Sequence, residues 1–200
     1  LSKIKIETSD DASRKIFYTA LYHTMVAPSL FSDVDGAYRG ADGKVYNKSR
    51  NVYTTMSLWD TYRAAMPLYH IIHPSKRADL INTMLDIFDE QGKLPVWHLM
   101  GNETDCMVGN PGVIAVAEAI VKGIEGIDKE RAYKACKASV MLDERGQDIR
   151  KKYGYIPCDL YEEACANDME YAIADAAVAN AARVLGHHED EKYFKNRSHS

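Results

Sequence analysis

The feature that most constrains the fold of this chain is a regular alternation of long and short connections between its predicted helices. Apolar residues recur at helical spacing in six segments, at about 10–27, 57–73, 75–92, 112–124, 128–142 and 159–185. Long connections at 29–56, 92–111 and 143–158 alternate with tight turns at 73–74, 125–127 and 186–188. Tight turns join antiparallel helices, so the long loops are predicted to emerge together at one end. Long loops are usually functional, and this end is therefore the predicted working end.

This pattern predicts an all-α fold, a toroid of helical hairpins. Three hairpins are fewer than a closed ring needs, so we expect the chain to be part of a larger domain or to complete its fold with a partner. Only Ile4 and Ile6 alternate as in a strand, which is too little for a sheet. Pro67 should kink or divide the helix at 57–73, and Ile16 is expected on the buried face of the first helix.

The charge and composition of the chain exclude several classes of partner. A formal net charge of −4 and a pI near 6.0, without a basic stripe, argue against nucleic acid or an anionic membrane. No apolar run reaches the length of a membrane span, and LSKIKIETSDD lacks the apolar core of a signal peptide. The four cysteines (Cys106, Cys136, Cys158 and Cys165) have no CxxC spacing, so a zinc knuckle is not supported.

The second long loop contains the stretch PVWHLMGNETDCM, which is rich in residues that favour burial or hydrogen bonding. Trp97 and several apolar neighbours could desolvate the Glu103 carboxyl and raise its pKa, which would make it a candidate general acid. The alternative is an ordinary surface glutamate. His98, beside a tryptophan, is more typical of a packing residue than of a site.

A second group of candidates stands at the start of the helix at 57–73, in SLWDTYR. A tryptophan beside an aspartate is a composition that binds sugars, because the ring covers an apolar sugar face while the carboxylate accepts from hydroxyls. Trp59 and Asp60 therefore form a candidate sugar subsite, and Arg63 is spaced to hold Asp60 by a charge-assisted hydrogen bond. The alternative interpretation is a core tryptophan followed by a first-turn charge.

Acidic residues in two further segments are weaker site candidates. Asp33 and Asp35, in DVDG, resemble the start of a calcium loop, but the later ligands of an EF-hand are missing and a turn explains them equally well. Glu170 is an acidic residue in a helix of small and apolar residues, so it faces either solvent or a buried site. The histidines have no partner ligands at zinc spacing.

The chain contains, in this order, the motifs FSDVDGAYRG, YTTMSLWDTYRAAMPL, LPVWHLMGNETDCMVGN, YGYIP and MEYAIAD, which cover nearly all of it. Their order resembles glycoside hydrolase family 92, the calcium-dependent, exo-acting bacterial α-mannosidases. The resemblance implies a catalytic (α/α)6 toroid that follows a β-sandwich domain in a longer chain. Residues 1–200 would be the first half of that toroid, without the β-sandwich, from a periplasmic or secreted protein.

The resemblance also implies an activity and roles for single residues. The family removes terminal α-mannose from N-glycans or mannans with inversion, and a bound Ca²⁺ engages the sugar hydroxyls. Glu103 of the GNE motif is then the general acid. The implied substrate-binding residues are Trp59, Asp60, Arg63, Trp97 and Asn102. Glu170 is the implied metal ligand.

The resemblance has gaps as well. Inversion needs a second carboxyl group as base, and the GNDD motif that supplies it in the family does not occur here, so we expect the chain to be inactive alone. MEYAIAD departs from the family's LEYAYDDW, with Ala174 in place of an aspartate, and we expect a linkage preference other than α-1,2. The alternatives are another helical-toroid glycosidase or lyase, or a non-catalytic carbohydrate-binding domain.

Overall fold

A computed structural model describes residues 1–199 as helical hairpins joined by loops that contain short strands. Nine helices occur in this range: α1 (Asp11–His23), α2 (Leu58–Thr61), α3 (Ala65–Ile72), α4 (Pro74–Gln91), α5 (Pro111–Val121), α6 (Lys129–Val140), α7 (Gln147–Tyr153), α8 (Ala164–Leu185) and α9 (His188–Arg197). The strands are β1 (Ser29–Leu30), β2 (Ala37–Arg39), β3 (Val45–Asn47), β4 (Tyr53–Thr54), β5 (Met56–Ser57), β6 (Trp97–Leu99) and β7 (Asn102–Glu103).

Three hairpins confirm the predicted pairing of the helices. His73 ends α3 and caps α4, and a short turn joins α5 to α6, where the Asp128 carboxylate accepts from the backbone N–H of Arg131 at 3.0 Å. Gly186, at a φ of +82°, ends α8 immediately before α9. Glycine suits this left-handed position because it has no Cβ. Local turn and cap chemistry therefore sets the hairpins.

The helix predicted at 57–73 is divided, as expected from its proline. α2 ends at Thr61 and α3 begins at Ala65, which places Pro67 in the first turn of the second piece. Proline lacks an N–H and its ring clashes with the carbonyl four residues earlier, so the two pieces cannot join smoothly. The first helix is present as predicted, but the expected burial of Ile16 was wrong: Ile16 is 70% exposed, and Leu21 alone is buried on α1.

The long loops are more structured than their sequences indicate. β1 pairs with β4 and β2 with β3 inside the first loop, and β5–β6–β7 form a sheet from two loops. α7 lies inside the third loop, and α8 begins at Ala164 instead of near residue 159. The short strands escape prediction because two or three residues cannot display an alternating pattern.

The core lies between the helices, with α5 at its centre. Every residue from Pro111 to Ala117 is buried, and α5 packs against α4, α6 and α8. A helix that is apolar all round is expected in such a central place. Fully buried side chains from the surrounding helices include Leu80, Met84, Tyr69, Val178 and Phe194. Within residues 1–199, no helix is long and apolar enough to span a membrane.

A buried ion network fastens α7 and α9 to α8. The Asp175 side chain is 1% exposed and accepts from Arg150 Nη1 at 2.6 Å and from Arg197 Nε at 2.7 Å. Arg150 also contacts Asp168 at 2.7 Å. Removing one partner of a buried ion pair is strongly destabilising, because it leaves a buried charge uncompensated. The second acidic position of MEYAIAD therefore serves the structure of the helices.

Candidate functional site

The sheet β5–β6–β7 brings the predicted site residues together. Ser57, immediately before α2, pairs with Trp97 of β6, and Leu99 pairs with Asn102 of β7. The segment SLWDTYR and the segment GNET are therefore held on one small sheet, although they are far apart in sequence. The structure confirms by these contacts that the first and second loops share one end of the fold.

Loops two and three also meet at this end. Lys93 Nζ contacts Asp105 at 2.8 Å and Glu144 at 2.9 Å, which joins the two loops by ion pairs. Arg145 donates to the carbonyl oxygens of Met107 and Gly109, the latter at 2.9 Å. All three long loops consequently form one continuous surface, as the alternating connections predict.

The Glu103 carboxylate is held by backbone N–H groups. Its Oε1 accepts from the N–H groups of Trp97, Thr104 and Asp105 at 2.8, 2.9 and 3.0 Å, and its Oε2 accepts from that of Val96 at 2.8 Å. The expectation of apolar surroundings for this carboxyl was therefore wrong, since backbone N–H groups donate to both of its oxygens. Oε1 has a full set of donors, whereas Oε2 has one and retains room for a proton.

A tight turn sets the position of Glu103. Met100 and Gly101 form the two-residue connection between β6 and β7, with φ values of +53° and +81°. Positive φ at both positions is typical of the hairpin turn that matches strand twist. This turn is the physical reason why a stretch with Pro95 and Gly101 is a hairpin and not a helix. Asn102, at its base, is exposed and accepts weakly from Arg39 Nη1 at 3.4 Å.

The residues of SLWDTYR lie beside this sheet, with one contact different from the predicted one. The Ser57 hydroxyl donates to the Asp60 carboxylate, which is exposed. Arg63 does not hold Asp60; it pairs with Glu170, so that expectation was wrong. The reason is that α2 ends at Thr61, so Arg63 lies beyond the helix and faces α8. The Arg63 guanidinium also lies 5.5 Å from the centroid of the Trp59 ring.

Trp59 and His98, two ring side chains near the site, differ in their exposure to solvent. Trp59 is partly exposed, and its indole Nε1 is buried without an acceptor among residues 1–199. His98 is 3% exposed, and its Nδ1 lies 3.3 Å from the Thr54 hydroxyl. Burial lowers the pKa of His98, while the charge of Glu103 opposes this shift. His98 is thus a packing residue, as predicted.

The residues present do not fit a calcium site. Among residues 1–199, no group of three or more His, Cys, Asp or Glu could hold a metal ion. Both oxygens of Glu170 already have partners, Arg63 Nη2 at 2.8 Å and the Tyr62 hydroxyl at 3.0 Å. In DVDG, Asp35 accepts from the N–H of Ala37 at 3.0 Å, which is the turn that the sequence allowed. We derive no step through a metal from these residues.

A recess beside Glu103 was not predicted. It has a volume of about 380 Å³ and is lined by 105–108, Arg145, 160–163 and Asn167. Three of its residues, Asp105, Arg145 and Glu163, have φ values of +50°, +53° and +52°. Non-glycine residues in this region are strained and cluster at functional sites. The recess was not predicted because residues 159–163 were assigned to a helix. The turn residues Pro157 and Asp159 could have indicated that this helix begins later in the chain.

Helical hairpins with a carboxylate and two tryptophans at their loop-bearing end are the arrangement that a resemblance to a helical-toroid glycosidase implies. The family model described as "Glycosyl hydrolase family 92 catalytic domain" matches residues 1–200, so the chain belongs to glycosyl hydrolase family 92. This confirms the resemblance, and with it the all-α toroid, of which the chain forms a part.

Solved structures from Bacteroides thetaiotaomicron are similar to this chain. A family GH92 α-mannosidase superposes with a TM-score of 0.93 at 38% identity, covering 96% of this chain and 27% of that one. The same enzyme was also solved in complex with mannoimidazole. A family GH92 inverting mannosidase gives a TM-score of 0.89 at 28% identity, covering 98% of this chain and 28% of that one.

A curated relative is an uncharacterized secreted glycosidase from Arthroderma benhamiae. It is 26% identical in a 161-residue alignment that covers 72% of this chain and 20% of the relative. The chain therefore spans between 20% and 28% of the length of these proteins.

Proposed function

We propose that this chain is part of an α-mannosidase that removes terminal mannose from glycans, with Glu103 as general acid. The observation that carries the proposal is the Glu103 carboxylate, fixed by four N–H groups on the sheet that also borders Trp59 and Asp60. The 38% identity to an α-mannosidase supports mannose as the sugar. N-glycans or mannans are the expected substrates.

The hydrogen bonds of Glu103 suggest which oxygen carries the proton. Three N–H groups occupy Oε1, so Oε2, which accepts only from Val96, is the oxygen from which a proton would be donated. As the bond between the anomeric carbon and the leaving oxygen breaks, this proton passes to the leaving oxygen and the carboxylate remains. Inversion requires that a second carboxyl group activate water on the opposite face of the sugar. We expect that base outside this chain, which should then be inactive alone.

The partly exposed groups around Glu103 suit a sugar. Trp59 and Trp97 offer aromatic faces for the apolar side of a pyranose, while Asp60 accepts from hydroxyl groups. Arg63 and Asn102 are exposed and can hydrogen bond to further hydroxyls. Aromatic faces combined with a few directed polar groups are typical of small-molecule sites.

The recess beside Glu103 suits the leaving part of the glycan. Asp105 lines the recess, and its backbone N–H donates to Glu103 Oε1 at 3.0 Å, so the recess lies close to the proposed acid. Its 380 Å³ lies within the range of small-molecule pockets. The strained residues that line it persist only because the surrounding structure fixes them, which favours a recess that is formed before the substrate arrives.

The remaining features belong to the whole protein. We expect a calcium requirement, the rest of the toroid and a β-sandwich domain, because the family implies them. Residues 1–199 form no metal site on their own, so the calcium ligands would include groups outside this range. Export from the cell is supported by the secreted relative.

The test is hydrolysis of α-mannosides by the full-length protein, with the anomer of the first product followed by NMR. The expected result is β-mannose, which shows inversion, and loss of turnover on chelation of calcium. Residues 1–200 alone serve as the control and should show no turnover. Binding of mannosides without hydrolysis by the full-length protein would instead favour the non-catalytic carbohydrate-binding alternative.

A further inference from the structure

We propose that Glu170 is a positioning residue for Arg63 and, through Arg63, for the Trp59 face of the sugar site, and that it does not bind calcium. The inference rests on the proposed function, because it concerns the same sugar subsite. It replaces the metal-ligand role that the resemblance implies for Glu170. The contacts of the Glu170 carboxylate with Tyr62 and Arg63, immediately after α2, and the packing of its Cβ beside Gly109 of the second long loop carry it.

Both oxygens of Glu170 are occupied in a buried setting. The residue is 8% exposed, and its Oε1 and Oε2 accept from Arg63 Nη2 at 2.8 Å and from the Tyr62 hydroxyl at 3.0 Å. Burial, together with the charge of Glu170, raises the pKa of Tyr62 to about 12, so this hydroxyl remains a donor at neutral pH. A dication at Glu170 would stand beside the Arg63 guanidinium, and the two positive charges would repel each other.

The backbone of the second long loop confines the Glu170 side chain. Gly109 has a φ of +73°, and a Cβ added there would lie 2.3 Å from Glu170 Cβ. The N–H of Gly109 also donates to Asn167 Oδ1 at 3.1 Å, one turn earlier on α8. The loop therefore lies directly on α8 at this point, and the side chain of Glu170 is held between the loop and the end of α2.

Arg63 connects this buried anchor to the open site. Its side chain is 51% exposed, whereas that of Glu170 is 11% exposed, so one side of the ion pair faces solvent. The guanidinium carbon lies 4.4 Å from the Tyr62 ring centroid and 5.5 Å from that of Trp59. Arginine has five N–H donors in a rigid plane. With one held by Glu170, donors on the exposed side are directed toward a sugar hydroxyl next to the Trp59 ring.

Holding a donor in place before binding improves affinity, because the ligand does not have to order it. Loss of Glu170 should therefore weaken sugar binding and leave proton transfer from Glu103 intact. In the full-length protein, we expect Glu170→Gln to raise KM for an α-mannoside and Kd for mannoimidazole about tenfold, with kcat within about threefold. Calcium affinity, measured by titration calorimetry, should stay within about twofold. Glu125→Gln, in the exposed α5–α6 turn, is the matched control and should change none of these values.

Three further variants test the pair without relying on Glu170→Gln alone. Arg63→Met should raise KM, and adding Glu170→Gln to Arg63→Met should raise it no further, because the two residues act as one unit. Arg63→Lys keeps the charge but loses the planar donor group, and we expect a KM increase similar to that of Glu170→Gln.

Three results would overturn the proposal. A calcium Kd raised about tenfold or more, with KM restored by excess calcium, would make Glu170 a metal ligand. An unchanged KM in Glu170→Gln or in Arg63→Lys would leave the pair only a structural role. Additive KM increases in the double variant would show that the two residues act separately. If the wild-type protein turned over no mannoside, the proposed function would fail, while mannoimidazole binding would still test the Glu170–Arg63 pair.

Discussion

Replacement of Glu103 by Gln tests both the proposed chemistry and the hydrogen-bond pattern that supports it. The amide is nearly the same size as the carboxylate, so its carbonyl oxygen can take the place of Oε1 and keep three N–H donors. Its NH₂ group then faces the N–H of Val96, which loses its acceptor. An unsatisfied donor costs about 1–3 kcal/mol. This free energy corresponds to a roughly 5- to 150-fold larger population of the locally open loop.

The kinetic effect follows from the loss of the proton. Removing a general acid lowers the rate by roughly 10²–10⁴-fold when the leaving group needs protonation. We therefore expect this loss in kcat for a mannose disaccharide, and a much smaller loss for a nitrophenyl mannoside, whose leaving group is stable as an anion. Affinity for mannoimidazole should change little, because the amide side chain of the variant would still fill the same space.

Two measurements on the full-length protein check these values separately. Hydrogen–deuterium exchange of peptides within 94–107 measures loop opening, and paired kinetics on the two substrates measures leaving-group dependence. Glu125→Gln again provides the matched exposed control. Equal rate losses on both substrates would contradict the general-acid role. Unchanged exchange in 94–107 would refute the hydrogen-bond account even if the kinetics agreed.

Other predictions concern stability. Asp175→Asn should lower the free energy of unfolding by about 3–5 kcal/mol, since it removes the buried carboxylate that pairs with both Arg150 and Arg197. Asp143→Asn, at an exposed pair with Lys151, should cost at most about 1 kcal/mol, and urea unfolding compares the two variants. Gly109→Ala should destabilise the fold more than Gly123→Ala, because only the first would bring a Cβ against Glu170, and thermal melts measure the difference. The lowered pKa of His98 means that its neutral form is favoured by folding, so its contribution to stability should be present above pH 6.5 and decline below it. His98→Gln should weaken this decline between about pH 7.5 and about pH 5, as urea titrations at both pH values would reveal.

The sequence was sufficient for the helices whose signals are local. α4 and α6 show an apolar face at helical spacing, and each has a recognisable end: Gly92, at a φ of +83°, stops the first, and Asp128 caps the second. These signals act over a few residues and do not depend on the rest of the fold. The alternation of loop lengths also depends only on where helices end, which is why it predicted a shared working end.

Elements stabilised by distant partners were not predictable in this way. α7, with the sequence QDIRKKY, has no apolar periodicity, and it is fastened instead by Arg150, whose partners lie on α8 and α9. Arg63 and Glu170 are 107 residues apart, so spacing favoured the nearby but incorrect partner Asp60. Sequence spacing identifies only partners that are close along the chain. A buried charged group instead pairs with the residue that the tertiary structure brings within hydrogen-bond distance.

The three long loops act as one unit because each is joined to the next. β5 and β6 link the first loop to the second, Lys93 and Arg145 link the second to the third, and Gly109 packs the second against Glu170 of α8. Such connections hold side chains in place before a substrate arrives, which is the condition for effective transition-state stabilisation. A change that loosened the third loop at Arg145 should therefore also shift the backbone near Asp105, two residues from the proposed acid. The long connections of this chain are consequently better described as a preorganised site than as flexible links between helices.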